Sequence, residues 1–158
     1  MACAVPGRDC PLCPRLVDYR HQQRDLHRDW FNAPVPSFGD EDAELLIVGL
    51  APGVQGANRT GRPFTGDFAG ELLYGTLVKF GFASGTFRAD PADGLRLNAA
   101  MITNAVRCVP PQNKPTPAEI DSVSLAICSA SNPPMAANGT FSTTISASLK
   151  LPNVLFAP

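Results

Sequence analysis

The sequence predicts an α/β fold in which a sheet strand hands a loop to a helix, and three features carry that prediction. Leu45–Val48 is an apolar run of strand length that ends abruptly at Gly49. A loop rich in glycine and polar residues follows and closes on Phe64-Thr65-Gly66-Asp67, just before an amphipathic helical stretch, Ala69–Phe80. A second short apolar run, Ala100–Val106, supplies another strand. Open α/β sheets hold ligands where strand ends deliver loops to helix N-termini. Leu45–Asp67 is therefore the first candidate for a site. Its glycines let the backbone approach a ligand closely, while Phe64 offers an apolar face and Asp67 a carboxylate.

The elements follow in order. Cys13–Trp30 is polar, with Leu16, Val17, Leu26 and Trp30 giving a loose helical stripe. Asn32–Asp40 reads as an extended, proline-punctuated connection. The strand at Glu44–Val48 and the glycine-rich loop come next, then a helix with Leu72, Leu73, Leu77 and Phe80 on one face. Breakers make Ala83–Leu97 a loop. Asn104 interrupts the second apolar run near the carboxyl end of its strand. Pro110–Pro117 is irregular, and Thr116 with Glu119 three residues on has the capping-box pattern. From about Ser122 the composition shifts to Ser, Ala, Asn, Pro and Thr, with Lys150 the only charged residue. Asn132-Pro133-Pro134 breaks any helix there, and Leu151–Phe156 is at most an edge strand. The expected division is a domain over 1–121 and a poorly structured tail over 122–158.

At 158 residues the chain has the size of one domain, read here as a monomer. A formal net charge of −1 argues neither for nor against nucleic acid, so any such surface must be local. No apolar run is long enough to span a bilayer, and no secretory h-region opens the chain. The expectation is a soluble cytoplasmic protein with no membrane partner. Without an export signal, its five cysteines should be reduced thiols. Cys10-Pro-Leu-Cys13 has a spacing that lets two thiolates reach one metal or cluster, and Cys108 follows the second strand. A lone CxxC does not choose zinc over iron–sulfur, and any single cysteine is otherwise a small buried hydrophobe.

Three blocks, GLAPG at Gly49–Gly53, GANRTGRPFTGD at Gly56–Asp67 and TNAVRCVPPQNKPTPAEI at Thr103–Ile120, together resemble the uracil-DNA glycosylase superfamily, and within it the type-5 branch. NAPVPSFGD and the CxxC fit the same pattern, so the resemblance covers about Asp9–Ile120. It implies a three-layer α/β/α sandwich around a short parallel sheet. It also implies a DNA-repair enzyme that hydrolyses the N-glycosidic bond of uracil, or another deaminated base, in DNA. The base must leave the duplex stack first, because the reacting bond is inaccessible inside it. Phe64 matches the aromatic that stacks on the flipped base, although it can also pack beneath the loop. Asn104 matches the amide that reads the base edge with a donor and an acceptor. Asp67 matches an acid that orients water or stabilises an oxocarbenium-like sugar, a role compatible with capping the following helix. The resemblance makes Asp67 and Asn104 the catalytic pair. Ala51 stands where other glycosylases carry a carboxylate, which gives the loop at Gly49, Leu50, Ala51 and Gly53 more of the work of holding base and water.

The same resemblance assigns Cys10, Cys13 and Cys108 to three of the four thiolates of a structural [4Fe–4S] cluster, with zinc as the alternative occupant. The family pattern puts the fourth cysteine near Val123; here Cys128 is the next one. Arg107 and Lys114 become candidates for DNA phosphate contacts, with a plain solvated-surface role an equally good reading of either. Beyond Ile120 the family continues with a further strand and a His-Pro-Ser loop that has no counterpart here, and the two histidines, His21 and His27, are N-terminal. The expectation is a truncated or frame-shifted type-5 glycosylase of weak stability and impaired activity. Two rival readings are a non-catalytic nucleic-acid binder and a small structural metal protein. A P-loop nucleoside triphosphatase is disfavoured because the loop lacks a GK[ST] ending.

Overall fold

The structure is a computed structural model that describes residues 6–40, 42–66, 68–121 and 153–156. Helix α1, Pro14–Leu26, opens with proline at its first position, where a missing N–H costs nothing. The Cys13 carbonyl accepts from the Leu16 and Val17 N–H groups, so the second cysteine of the CxxC starts the helix. Its buried face is Leu16, Arg20 and Gln23. That differs from the stripe expected through Leu26 and Trp30. Leu26 is exposed, and Trp30 lies beyond the helix, its ring stacked on His27 at 3.7 Å. Arg20 can take an inward position because the Cys10 carbonyl accepts from its guanidinium at 3.0 Å.

The chain continues through β1 (Phe38–Gly39), β2 (Leu45–Gly49), a single turn α2 (Ala57–Thr60) and α3 (Phe68–Lys79). A short ribbon follows, β3 (Ala83–Ser84) paired antiparallel with β4 (Arg96–Leu97), then β5 (Ala100–Asn104) and β6 (Asn153–Phe156). The ribbon occupies a region expected to be a plain loop. The main sheet has the order β1-β5-β2-β6. Strands β5, β2 and β6 run parallel, while β1 adds an antiparallel edge to β5. The α/β class stands, with a small mixed sheet in place of a wholly parallel one. Among the described residues strand β6 lies at an edge, in line with an edge strand over Leu151–Phe156; the rest of the expected tail, 122–152 and 157–158, lies outside the described residues.

Two apolar pentads pair in register, Leu45 with Ala100 through Gly49 with Asn104, so β2 and β5 finish level. The core gathers Leu45 and Ile47 from β2, Ala100 and Ile102 from β5, and Tyr74 and Leu77 from α3. On α3 the inward line runs Gly70, Tyr74, Leu77. Leu72 and Phe80, expected on the inner face, are exposed. Tyr74 goes inside because its hydroxyl finds a buried acceptor, the Pro63 carbonyl at 2.7 Å. The helix closes with Gly81 at φ +82°. Phe82 N–H donates to the Leu77 carbonyl and Gly81 N–H to that of Val78, a Schellman cap. After Thr116, residues 117–121 are helical.

Candidate functional site

The level ends of β2 and β5 create the site. Their ladder runs one step beyond the strands: Ala105 N–H donates to the Gly49 carbonyl at 2.7 Å and Val106 N–H to that of Leu50 at 2.9 Å. Above this junction opens a cleft of about 260 Å³. Gly49, Leu50, Ala51 and Gly53 line one side, with Phe64 and Asn104 completing it. The structure thus brings together every described residue expected to hold a base. Pro52, Ala57, Ala69 and Asn113 also line the cleft and escaped the sequence reading. Asn113, at φ +57°, had a usable signal, since asparagine in a proline-rich loop readily adopts left-handed backbone.

Gly49 is the pivot of this geometry. A Cβ there would lie 2.5 Å from Asn104 Oδ1 and 2.7 Å from Phe64 Cζ. Only the missing side chain allows the amide and the ring to approach the same point. Asn104 is 4% exposed. Phe64 holds φ at +53°, a conformation costing a bulky residue ~1–3 kcal/mol that persists only where the surroundings enforce it. Asp67 and Cys128 both lie outside the described residues.

The loop bearing Phe64 is fastened on two sides. The Asn58 amide donates to Asn32 Oδ1 at 2.9 Å in buried surroundings, and the Asn32 amide donates to the His27 carbonyl at 2.6 Å in a part-buried setting. On the other side, both terminal nitrogens of Arg62 donate to the Asp93 carboxylate at 2.8 Å. The Arg62 guanidinium also lies 5.3 Å from the ring centroids of Phe38, Tyr74 and Phe87. Asp93 accepts further from the Arg88 and Leu95 N–H groups. These bonds, Arg62's first among them, hold its carboxyl far below the usual carboxylate range. Burial is the largest influence on Arg62 and opposes its charge, but the bond to Asp93 together with the nearby Tyr74, Asp93 and Asp90 outweighs it and the pKa rises. Burial raises the pKa of Tyr74. None of this cage was legible in the sequence.

Cys10, Cys13 and Cys108 are half-buried. Arg20 joins two of their segments, donating to Cys108 Sγ at 3.7 Å and to the Cys10 carbonyl at 3.0 Å. Burial pushes the Cys108 thiol up, Arg20 opposes the rise, and the neighbouring Cys10 and Cys13 add to it. Arg20 thus holds the Cys108 and Cys10 segments beside each other, and thiolates are the donor type that iron–sulfur and zinc sites use. Among the described residues no His, Cys, Asp or Glu group of three or more could hold a metal ion as it stands. Arg15 and Glu119 fasten α1 to the helical stretch 117–121 by bonds of 2.8 and 2.7 Å.

Of the two expected phosphate-contacting residues, Lys114 is exposed. Arg107 is buried, donating to Ser37 Oγ at 2.9 Å and to the Val35 carbonyl at 3.5 Å. From this buried position Arg107 pins the approach to β1. His21 is exposed and His27 half-buried. No helix among the described residues is long and apolar enough to cross a membrane.

Comparison with known proteins matches residues 36–135 to the model of the uracil DNA glycosylase superfamily. A type-5 uracil-DNA glycosylase of Thermus thermophilus is 49% identical over 116 residues, covering 70% of this chain and 52% of the relative. One of Mycobacterium leprae is 48% identical over 116 residues, 70% of this chain and 51% of the relative. A type-4 uracil-DNA glycosylase of Archaeoglobus fulgidus is 39% identical over 98 residues, 61% of this chain and 41% of the relative. The chain spans about half the length of the curated relatives it matches. With the family's motifs gathered around one cleft, the chain belongs to the uracil DNA glycosylase superfamily.

Proposed function

We propose that this chain is a DNA-repair glycosylase that takes uracil, and deaminated bases of similar shape, flipped out of DNA into the cleft at the ends of β2 and β5. The observation that carries the reading is the space beside Gly49, where a buried amide and an aromatic ring on a strained backbone meet. Phe64 would stack on the base face, a contact worth ~1–3 kcal/mol in other systems. Asn104 would answer the pyrimidine edge with one donor and one acceptor. Leu50, Ala51 and Gly53 would pack around the base and hold water at the sugar. In hydrolysis the C1′–N bond breaks with its electron pair leaving on the base, and water adds at C1′. A carboxylate beside the developing positive charge, the role assigned to Asp67, lowers that barrier.

Cys10, Cys13 and Cys108, with Cys128 as the fourth ligand, would hold a [4Fe–4S] cluster, zinc being the alternative. Bound there, the group would act as a crosslink between the start of α1 and the loop after β5. Arg20 already joins the same segments, and Arg15 with Glu119 joins α1 to the helical stretch 117–121. Four irons per chain with broad visible absorbance after anaerobic preparation support the cluster; colourless protein with stoichiometric zinc supports the alternative. We place the protein in the cytoplasm as a monomer.

The test of the activity is incubation of a uracil-containing duplex with excess protein, followed by alkaline cleavage at abasic sites. Scission at the uracil, absent from a thymine control, is expected. No scission at high excess would sink the enzymatic reading, and retained uracil-dependent binding would then favour a non-catalytic binder.

A further inference from the structure

Phe64 is the one cleft residue in a backbone conformation that its side chain disfavours, at φ +53°. What enforces that conformation lies outside the cleft. On its N-terminal side, Arg62 is gripped by Asp93 through two bonds of 2.8 Å. The Pro63 carbonyl accepts from the Tyr74 hydroxyl at 2.7 Å. On its C-terminal side, Thr65 Oγ1 donates back to the Arg62 carbonyl at 2.8 Å and also bonds the Thr60 hydroxyl. Arg62 and Pro63 are thus tied to β1, α3 and the 85–95 loop, Thr65 is tied back to Arg62 and Thr60, and neither Arg62, Tyr74 nor Asp93 lines the cleft.

An ion pair is a costly way to fill such a space. Side chains of Arg62 and Asp93 are only 4% and 0% exposed, and well-packed apolar residues often do as well or better for stability. Arg62 Nε, moreover, is buried with no hydrogen-bond partner among the described residues. What the pair offers instead is direction. A planar guanidinium fixed at both nitrogens and ringed by three aromatic side chains has one orientation available. Stacking depends on where a ring stands, and a displacement of about 1 Å can cost ~100-fold in a reaction.

We propose that Arg62, locked by Asp93 and assisted by Tyr74, is the positioning residue that sets the Phe64 ring for a flipped base. The proposal rests on the base-holding reading of the cleft. It assigns Arg62 no contact with substrate: its effect on the reaction passes through Phe64.

A double-mutant cycle tests this. The probe is a duplex carrying one 2′-fluoro-2′-deoxyuridine, whose fluorine suppresses cleavage, and binding is read by anisotropy against the same duplex with thymidine. Tyr74→Phe removes one hydroxyl and keeps the ring, so it spares the fold; Arg62→Lys is the stronger probe, with its melting temperature measured alongside. Uracil-specific affinity should fall roughly fivefold in Tyr74→Phe, the scale of one lost hydrogen bond, and further in Arg62→Lys. Neither change should cost additional affinity in a Phe64→Ala background. Equal losses with and without the Phe64 ring overturn the proposal and leave Arg62 a stability element, as does no loss in either variant. If Phe64→Ala itself leaves affinity unchanged, the base-stacking reading fails and the positioning role falls with it.

Discussion

A methyl group at Gly49 would collide with the two side chains that form the cleft. Gly49→Ala should therefore abolish base binding while leaving the strand able to fold, since alanine has the lower backbone entropy cost. A loss of roughly 100-fold in uracil release is expected, measured against an unchanged far-UV circular dichroism spectrum. Gly49, Phe64 and Asn104 were legible in the sequence because their chemistry sits inside short motifs with recognisable neighbours. Arg62 lies in the same motif and was passed over. Arginine is rarely fully buried without a partner, and its partner, Asp93, is 31 residues away in a stretch that reads as loop. Long-range ion pairs leave no periodic signature.

Elements were legible to within a residue or two where apolar runs were continuous, as in β2 and β5. Their inner faces were less so. On α1 and α3 the buried line follows the polar groups that find backbone acceptors, Arg20 and Tyr74, over the more hydrophobic Leu26 and Leu72. Hydrophobicity alone could not reveal that. The capping box at Thr116 and Glu119 formed as read, with Thr116 N–H donating to Glu119 Oε2 at 2.8 Å and Glu119 N–H to Thr116 Oγ1 at 3.4 Å. Its second use was not foreseen: the same carboxylate takes Arg15 from α1. Thr116→Ala should cost about 1 kcal/mol. Glu119→Ala should cost more, since it also releases α1, and urea unfolding monitored on both variants checks the order.

For the molecule as a whole, two carboxyls tie distant segments together, and the bond to an arginine depresses the pKa of each, Arg62 for Asp93 and Arg15 for Glu119. A depressed folded pKa means the unfolded chain binds protons more readily, so stability rises with pH through that window. The contribution is complete above the ordinary carboxylate range near pH 4 and is lost as pH falls toward the lower folded values. Asp93→Asn should flatten the acid limb of the stability curve. At neutral pH it should cost ~3–5 kcal/mol by stranding Arg62 without its counter-charge. Thermal melts from pH 7 to pH 2 on both proteins check the two statements.

The central claim is that the cleft between Gly49, Phe64 and Asn104 receives the base. The most direct measurement follows the side-chain amide resonances of Asn104 by NMR while a uracil-containing, cleavage-resistant duplex is added. The expected result is a saturable shift of the Asn104 amide that is absent with thymine and lost in Phe64→Ala. An Asn104 amide that stays fixed while the protein binds or cleaves uracil DNA would contradict the claim and move the site elsewhere.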